Sequence, residues 1–526
     1  MNYSLRSNIA VEPAIGGWYA WSYLVPPHTL ARFIHNRFIP IIESYLEDPQ
    51  VHAMAVKQPK MHGGPWIHAY EHYDQIKNWY ESVRGSYDRP LELFEAIKHL
   101  EEKILPDYTG ESLDSVYQRL PLALAGRVEV FYGRDNKTPD YRFIEPLMYA
   151  SDYYDESLQQ VRFREITADA REFALTTPIL EYTDQELVVD VPFKSPLLDR
   201  LFRGDLSESD LTQLEHDLAI PAERSALFRS YFEAAPTVNN ETGSDRMEYV
   251  GHASVYAQYE GTTFLVDPVL SYGGYEGAAE GKFSYDDLPA ALDYLLITHN
   301  HTDHMLFETL LRIRHKVGTI LVPKSSTSSM VDPGLARILR HLGFTDVIEF
   351  DDMDTRTCGS VQVTALPFLG EHGDLQIRTK AGWHLRFGEK TALFAADSTN
   401  ISPTIYAKVA ELIGRVNTVF IGMESIGAAA SWIYGPLFSA PLARRSDQSR
   451  RLNGSNFEQG RDIVDALDPD EVYTYAMGLE SWMGNLMAID YDENHPAIID
   501  SNALTDYAVS KGRTSKRLFI RETLPL

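Results

Sequence analysis

Three histidines and an aspartate fall within six consecutive positions of the stretch "LLITHNHTDHMLF": His299, His301, Asp303 and His304. Imidazole nitrogens and carboxylate oxygens are the donors that borderline transition metals prefer. On a loop, His299 and His301 project from alternate positions while Asp303 and His304 follow on the turn. Two pairs of ligands can then face two adjacent metals. A solvated loop whose Asp303 merely caps the next helix is the competing structural reading, but the H-x-H-x-D-H spacing is far more specific than that reading requires.

The flanking pattern supplies the loop. "LDYLLIT" is an apolar run of strand length, and "MLFETLLRIRHK" places Leu306, Leu310 and Ile313 on one helical face. The same texture of short strands alternating with helices continues around them. "MEYVGHASVYAQYEGTTFLVDPVLS" reads as two strands with a turn at Glu260-Gly261, "GTILVPKSS" and "SVQVTALPF" as strands, and "WHLRFGEKTALFAADS" as a hairpin turning at Gly388-Glu389 and ending at Asp397. Upstream, the polar, Pro/Asn/Gly/Ser-containing segment before Met247 breaks the periodicity and reads as a linker. The expected division is an N-terminal mixed α/β domain over 1–236, a linker over 237–246 and a second domain over 247–526. The N-terminal part offers helices at "PLELFEAIKHLEEKIL" and "SESDLTQLEHDLAI", two strands in "RVEVFYGRDNKTPDYRF", and no catalytic motif. Its aromatic runs ("WYAWSY", "IHAYEHYDQIKNWY") suit a protein interface or ordinary core packing.

Composition narrows the function classes. With 75 acidic against 48 basic residues and a net charge of -27, the chain repels nucleic acid and anionic membranes. One cysteine, Cys358, rules out an internal disulfide framework and a cysteine zinc cluster. The first residues lack a basic start followed by an unbroken apolar core, and no run reaches membrane-spanning length. A cytoplasmic protein that engages neither nucleic acid nor membrane is expected.

With "GHASVYAQYEGTTFLVDP" before it and a strand ending in "AADS" after it, the histidine motif resembles the metallo-β-lactamase superfamily over about Met247 to Ala488. The resemblance implies an α/β fold whose C-terminal part is an αββα sandwich with a dinuclear site at one edge of its sheets. It implies that Asp397 bridges the two metals, a position otherwise readable as a helix-capping Asp. It also puts His252 and Asp267 beneath the site, as hydrogen-bonding supports of the ligands.

Hydrolases of this superfamily normally add two further histidines. Where the first should stand, "LPFLGEHGD" offers Glu371 and His372 side by side; where the second should stand, two residues before Gly478, the chain has Ala476. If Glu371 is the ligand, one metal holds two imidazoles and a carboxylate, the facial set of oxygen-activating iron sites. If His372 is the ligand, the set is that of a zinc hydrolase. The whole pattern, including the large N-terminal domain, resembles a small family of diiron oxygenases that β-hydroxylate an amino acid tethered to a carrier protein in nonribosomal peptide assembly. The loop glutamate shared with that family selects Glu371. The resemblance then implies two oxo- or hydroxo-bridged irons held by His299, His301, Asp303, His304, Glu371 and Asp397, with no catalytic side chain beyond the cluster. It further implies O2 and an external electron-donor protein as co-substrate and partner, an aminoacylated peptidyl carrier domain as the substrate's carrier, and a homodimer whose N-terminal domain serves dimerisation and docking.

Around that centre, Glu424, Trp432 and Tyr434 in "GMESIGAAASWIYGP", together with Glu480, are candidate pocket residues. Arg444, Arg445, Arg450 and Arg451 form a basic cluster suited to a phosphopantetheine phosphate or an acidic carrier face. Two other readings compete: a dinuclear zinc or manganese hydrolase of the phosphodiesterase or lactonase kind, and a non-catalytic scaffold that keeps its metals for structure.

Overall fold

In the computed structural model, which describes residues 2–235, 244–325, 327–489 and 491–526, short apolar segments separated by tight turns build two seven-stranded sheets. The first runs in spatial order Val347–Phe350, Val317–Pro323, Leu292–Leu296, Thr262–Val266, Ser254–Tyr259, Arg246–Gly251 and Glu522–Leu524. The second runs Thr355–Cys358, Val361–Leu366, Gly382–Phe387, Lys390–Phe394, Thr418–Gly422, Glu471–Tyr475 and Thr514–Arg517. Alternation along the strands turns Phe264, Val266, Leu296 and Leu321 toward Val363, Trp383, Phe394 and Phe420, and these side chains fill the space between the sheets. Full burial of each such side chain stabilises the fold by roughly 1.5–3 kcal/mol. The Trp383 indole adds a stitch across that layer by donating to the Ile297 carbonyl at 3.0 Å.

Helices cover both outer faces. Thr404–Ile413, Phe457–Leu467 and Pro496–Ser510 pack on the second sheet, Phe307–Ile313 and Leu335–His341 on the first. The expected αββα layering is therefore present, with a mixed α/β region in front of it. Two local expectations change. The segment from Arg246 to Val266 holds three strands rather than two, because Gly251 and His252, at φ 117° and 49°, break the first run. The turn at Glu260-Gly261 stands where the sequence puts it, both residues at positive φ as a two-residue hairpin requires. The helix Phe307–Ile313 is buried on every side instead of one, since the sheet lies under it and the N-terminal strand Ile9–Ile15 over it. Arg312 ties the two by donating to the Ile9 carbonyl at 2.7 Å.

The N-terminal region has a four-stranded sheet, Trp18–Tyr19, Ile9–Ile15, Gln159–Glu165 and Leu187–Asp190 in order, and the expected hairpin of Val128–Tyr132 with Pro139–Phe143. Its apolar interior is continuous with the C-terminal half: Val11, Ile15 and Phe163 belong to the same cluster as Leu295, Phe307 and Leu310. Of the expected linker, 237–243 lies outside the described residues, and Arg246 already opens a strand. The "WYAWSY" run is core, with Trp18, Tyr19, Trp21 and Tyr23 no more than 5% exposed. Among the described residues no helix is long and apolar enough to cross a membrane.

Candidate metal centre

The site gathers where parallel strands end. His299, His301, Asp303 and His304 follow Leu292–Leu296, Asp267 follows Thr262–Val266, Asp397 follows Lys390–Phe394, and Glu424 follows Thr418–Gly422. The carboxyl ends of parallel strands are the usual place for ligands in open α/β sheets. Five non-glycine residues there hold left-handed backbone: His252 (φ 49°), Asp267 (41°), Glu371 (62°), Ala396 (48°) and Ala476 (51°). Such conformations cost energy and persist where the surroundings fix them, typically at functional sites.

Two clusters form. In one, His301 Nδ1 is 2.5 Å from Glu371 Oε1 and His299 Nε2 is 3.9 Å from Glu371 Oε2. In the other, His304 Nε2 is 3.0 Å from Asp397 Oδ2 and 3.7 Å from Asp303 Oδ2. His299 also groups with His304 and Asp397, its donor atom within 4.8 Å of theirs, so the clusters share an edge. Supporting contacts fix each ring. Asp267 Oδ2 accepts from His304 Nδ1 at 2.8 Å, while Thr298 donates to Asp267 through its backbone N–H at 2.7 Å and its hydroxyl at 2.6 Å. The Gly478 N–H donates to His252 Nδ1 at 3.1 Å, which leaves His252 Nε2 protonated and donating to Asp303 at 3.2 Å.

Burial holds His299 well below the usual imidazole range, and His304 next to it adds to the effect. For His301 and His304 burial acts the same way but is outweighed, by Glu371 for the first and by Asp397, Asp303 and Asp267 for the second, so both are raised. Burial raises Asp397. It also lifts Glu424 well above the carboxylate range, with Asp397, Asp303 and Glu371 pushing the same way. Asp303 and Glu371 stay low against their burial because imidazoles face them. So dense a set of acids calls for cations. His299 Nε2 and Asp397 Oδ1 are moreover buried without a hydrogen-bond partner, an arrangement that polar atoms avoid unless something else binds them. Imidazole and carboxylate donors in two adjoining triads fit a pair of transition-metal ions.

A cavity of about 380 Å³ opens beside this centre, its wall including His301, Asp303, Glu371 and Asp397. Glu424 and Trp432 line it. Tyr434 does not: it is fully buried behind the site, its hydroxyl 2.8 Å from His301 Nε2. Glu480 is likewise no pocket residue. Only 4% exposed, it accepts from the His252 backbone N–H at 3.0 Å and from the Tyr249 hydroxyl. The arginine cluster divides, Arg444 and Arg445 standing exposed on a short helix while Arg450 donates to the Gly373 carbonyl and Arg451 lines the cavity. Sequence reasoning missed Trp21 and Arg37, N-terminal residues on the cavity wall. The aromatic run was a signal for the first; Arg37, one polar residue among others in the helical turn Ile34–Phe38, gave none.

Two family models match the chain: the diiron non-heme β-hydroxylase N-terminal domain over residues 4–236 and the β-lactamase superfamily domain over 262–427. The chain is 66% identical, over the full length of both proteins, to the 4-amino-L-phenylalanyl-[CmlP-peptidyl-carrier-protein] 3-hydroxylase of Streptomyces venezuelae. It superposes with a TM-score of 0.98 on the crystal structure of CmlA, a diiron β-hydroxylase from Streptomyces venezuelae, at 67% identity and 100% coverage of both chains. A shorter likeness, 25% identity over 183 residues, covering 32% of this chain and 50% of the relative, links it to N-acyl-phosphatidylethanolamine-hydrolyzing phospholipase D 1 of Caenorhabditis elegans.

Proposed function

The chain belongs to the diiron non-heme β-hydroxylase family, and from that premise we propose that it hydroxylates the β-carbon of an aromatic amino acid, of the 4-aminophenylalanyl kind, held as a thioester on a peptidyl carrier domain. The observation that carries the reading is the 66% identity over the whole chain to a hydroxylase of a carrier-bound amino acid. The two adjoining triads around His299 support it. His299, His301 and Glu371 would hold one iron and Asp303 and His304 the other, with Asp397, which groups with both His299 and His304, serving the pair. The hydrolase and scaffold readings have no comparable support.

When bound, the two irons would supply the activation of O2, with two electrons from an external donor and two protons; one oxygen atom enters the C–H bond and the other leaves as water. The chain's own residues do the holding. Asp267 and His252 fix the His304 ring and the Asp303 carboxylate by hydrogen bonds. Tyr434 fixes His301 from the side away from Glu371. Glu424 and Trp432 form cavity wall beside the ligands, with Trp21 contributed by the N-terminal region, so the substrate reacts between the two halves of the chain. An electron-donor protein, a homodimer and a cytoplasmic setting complete the reading.

Intact-mass analysis of aminoacylated carrier domains, after incubation with the iron-loaded enzyme, reductant and O2, tests this. A gain of one oxygen on the tethered amino acid is expected. Hydrolysis of the thioester without oxygen gain would overturn it.

A further inference from the structure

Two arginines on the cavity wall have no carboxylate partner among the described residues, in a chain where acids outnumber bases by 75 to 48. Arg37, from the helical turn Ile34–Phe38, donates from Nη1 to the Trp432 carbonyl at 3.0 Å. Arg451 donates from Nε to the Gly427 carbonyl at 2.9 Å, with Nη2 on the same oxygen and Nη1 on Gln448 at 3.1 Å. Gly427 lies in the loop that leads into the helical turn Ser431–Tyr434, which carries Trp432, and the Arg451 backbone pairs with that loop at Ala429. Both guanidinium groups are thus anchored by carbonyls of the same short segment, and neither is neutralised by them.

An enclosed cation without a counter-charge is costly, and guanidinium forks match phosphate oxygens in geometry. Burial draws Arg37 down to about 10, with no acid beside it to offset the effect. The exposed Arg444 and Arg445 are placed to meet an acidic protein surface, whereas the half-buried Arg37 and Arg451 line the cavity that also holds His301, Asp303, Glu371 and Asp397 on its wall. The carboxyl group of a tethered amino acid is not the anion, because as a thioester it carries no charge.

We propose that Arg37 and Arg451 bind the phosphodiester of the carrier domain's phosphopantetheine arm and so orient the thioester-bound residue in the cavity. The assignment rests on the carrier-tethered reading above and adds its anion site.

The test compares kcat/KM of the iron-loaded, full-length enzyme for one amino acid presented as its 4′-phosphopantetheine thioester and as its pantetheine thioester. A charge-assisted contact favours the phosphorylated form by roughly ten- to a hundred-fold. Arg37→Gln and Arg451→Gln should each shrink that ratio, the double variant should bring it near one, and the lysine variants should restore part of it. A ratio near one in the unmodified enzyme, or an undiminished ratio in the double variant, overturns the proposal. If the variants do not fold, or only the loaded carrier domain is turned over, calorimetric titration of the unmodified enzyme with 4′-phosphopantetheine and with pantetheine decides. Equal affinities reject the site. Oxidation of the free amino acid with none on the carrier rejects the tethered reading and the site with it, whereas turnover of the loaded carrier domain with equal affinities rejects the phosphate site alone.

Discussion

The Tyr434 hydroxyl lies 2.8 Å from His301 Nε2, on the edge of the ring opposite the Nδ1 atom that faces Glu371. If Nδ1 binds iron as proposed, Nε2 keeps the ring proton and donates it to the phenol oxygen. Tyr23, from the N-terminal region, packs edge-on against Tyr434 with ring centres 6.0 Å apart and donates to the Val331 carbonyl at 2.8 Å. Tyr434→Phe removes the acceptor without opening a cavity. Iron affinity or turnover should fall roughly 10- to 100-fold, the usual cost of losing such a support. Iron retention against a chelator, together with a changed visible spectrum of the loaded centre, checks this; unchanged values for both would refute it.

Glu371 and His372 are neighbours with different surroundings. Glu371 meets both His299 and His301, whereas His372 stacks on the His301 ring at 4.7 Å and places Nδ1 2.6 Å from Glu371 Oε2. Glu371→Ala should lose iron from one of the two positions and abolish turnover. His372→Ala should keep both irons and lose activity only in part. Metal analysis of the two purified variants separates the roles, and the opposite pattern would make His372 the ligand.

Asp267→Asn should loosen the second cluster at a distance. The carboxylate receives three hydrogen bonds, two from Thr298 and one from His304 Nδ1. An amide cannot accept all three with charge, and its NH2 group can oppose the Nδ1 proton. A drop in iron affinity of roughly 10- to 100-fold is expected, with secondary structure by circular dichroism unchanged.

Gly422→Ala tests the space around Asp397. A Cβ built there would run into Asp397 Oδ1 and lie 2.5 Å from the Ala396 carbonyl oxygen, contacts no real Cβ tolerates. The backbone oxygen cannot swing aside, so the strand end and Asp397 must move together. Loss of turnover out of proportion to any fall in thermal stability is expected, since a displacement of about 1 Å costs on the order of 100-fold in rate.

The metal loop was legible because its chemistry is local: H-x-H-x-D-H sits within one strand-to-helix connection, and apolar runs on either side fix both elements. The ligand roles proposed for Asp397 and Glu371 both came from the family likeness, since a strand-end Asp and a loop Glu are ordinary residues by themselves. What escaped depends on contacts between distant parts of the chain. Nothing near Tyr434 reveals that its hydroxyl meets His301, 133 positions earlier. Nothing near Glu480 reveals that it holds the backbone of His252. The helix Phe307–Ile313 reads as one-faced because its outer cover, the strand Ile9–Ile15, comes from the far end of the sequence.

That cover is also electrostatic. Glu12, on the N-terminal strand, accepts from Arg162 Nε at 2.8 Å and from Arg164 Nε at 3.0 Å, and meets Arg171 at 3.3 Å. Arg171 in turn reaches Glu308 at 2.9 Å, on the helix that follows the metal loop. Burial pushes the Glu12 carboxyl up, but the three guanidinium groups outweigh it and hold the group at about 2, against an ordinary 4.5. A depressed carboxylate contributes stability that is complete above the unfolded value and is lost as pH falls from about 4.5 toward 2. Glu12→Gln leaves buried arginines short of a counter-charge and should cost roughly 3–5 kcal/mol near neutral pH. Denaturation followed at several pH values should show the gap between the native chain and this variant widest near neutrality and closing on acidification. A gap that stays constant with pH would mean that Glu12 acts by packing alone and that the arginines are balanced elsewhere.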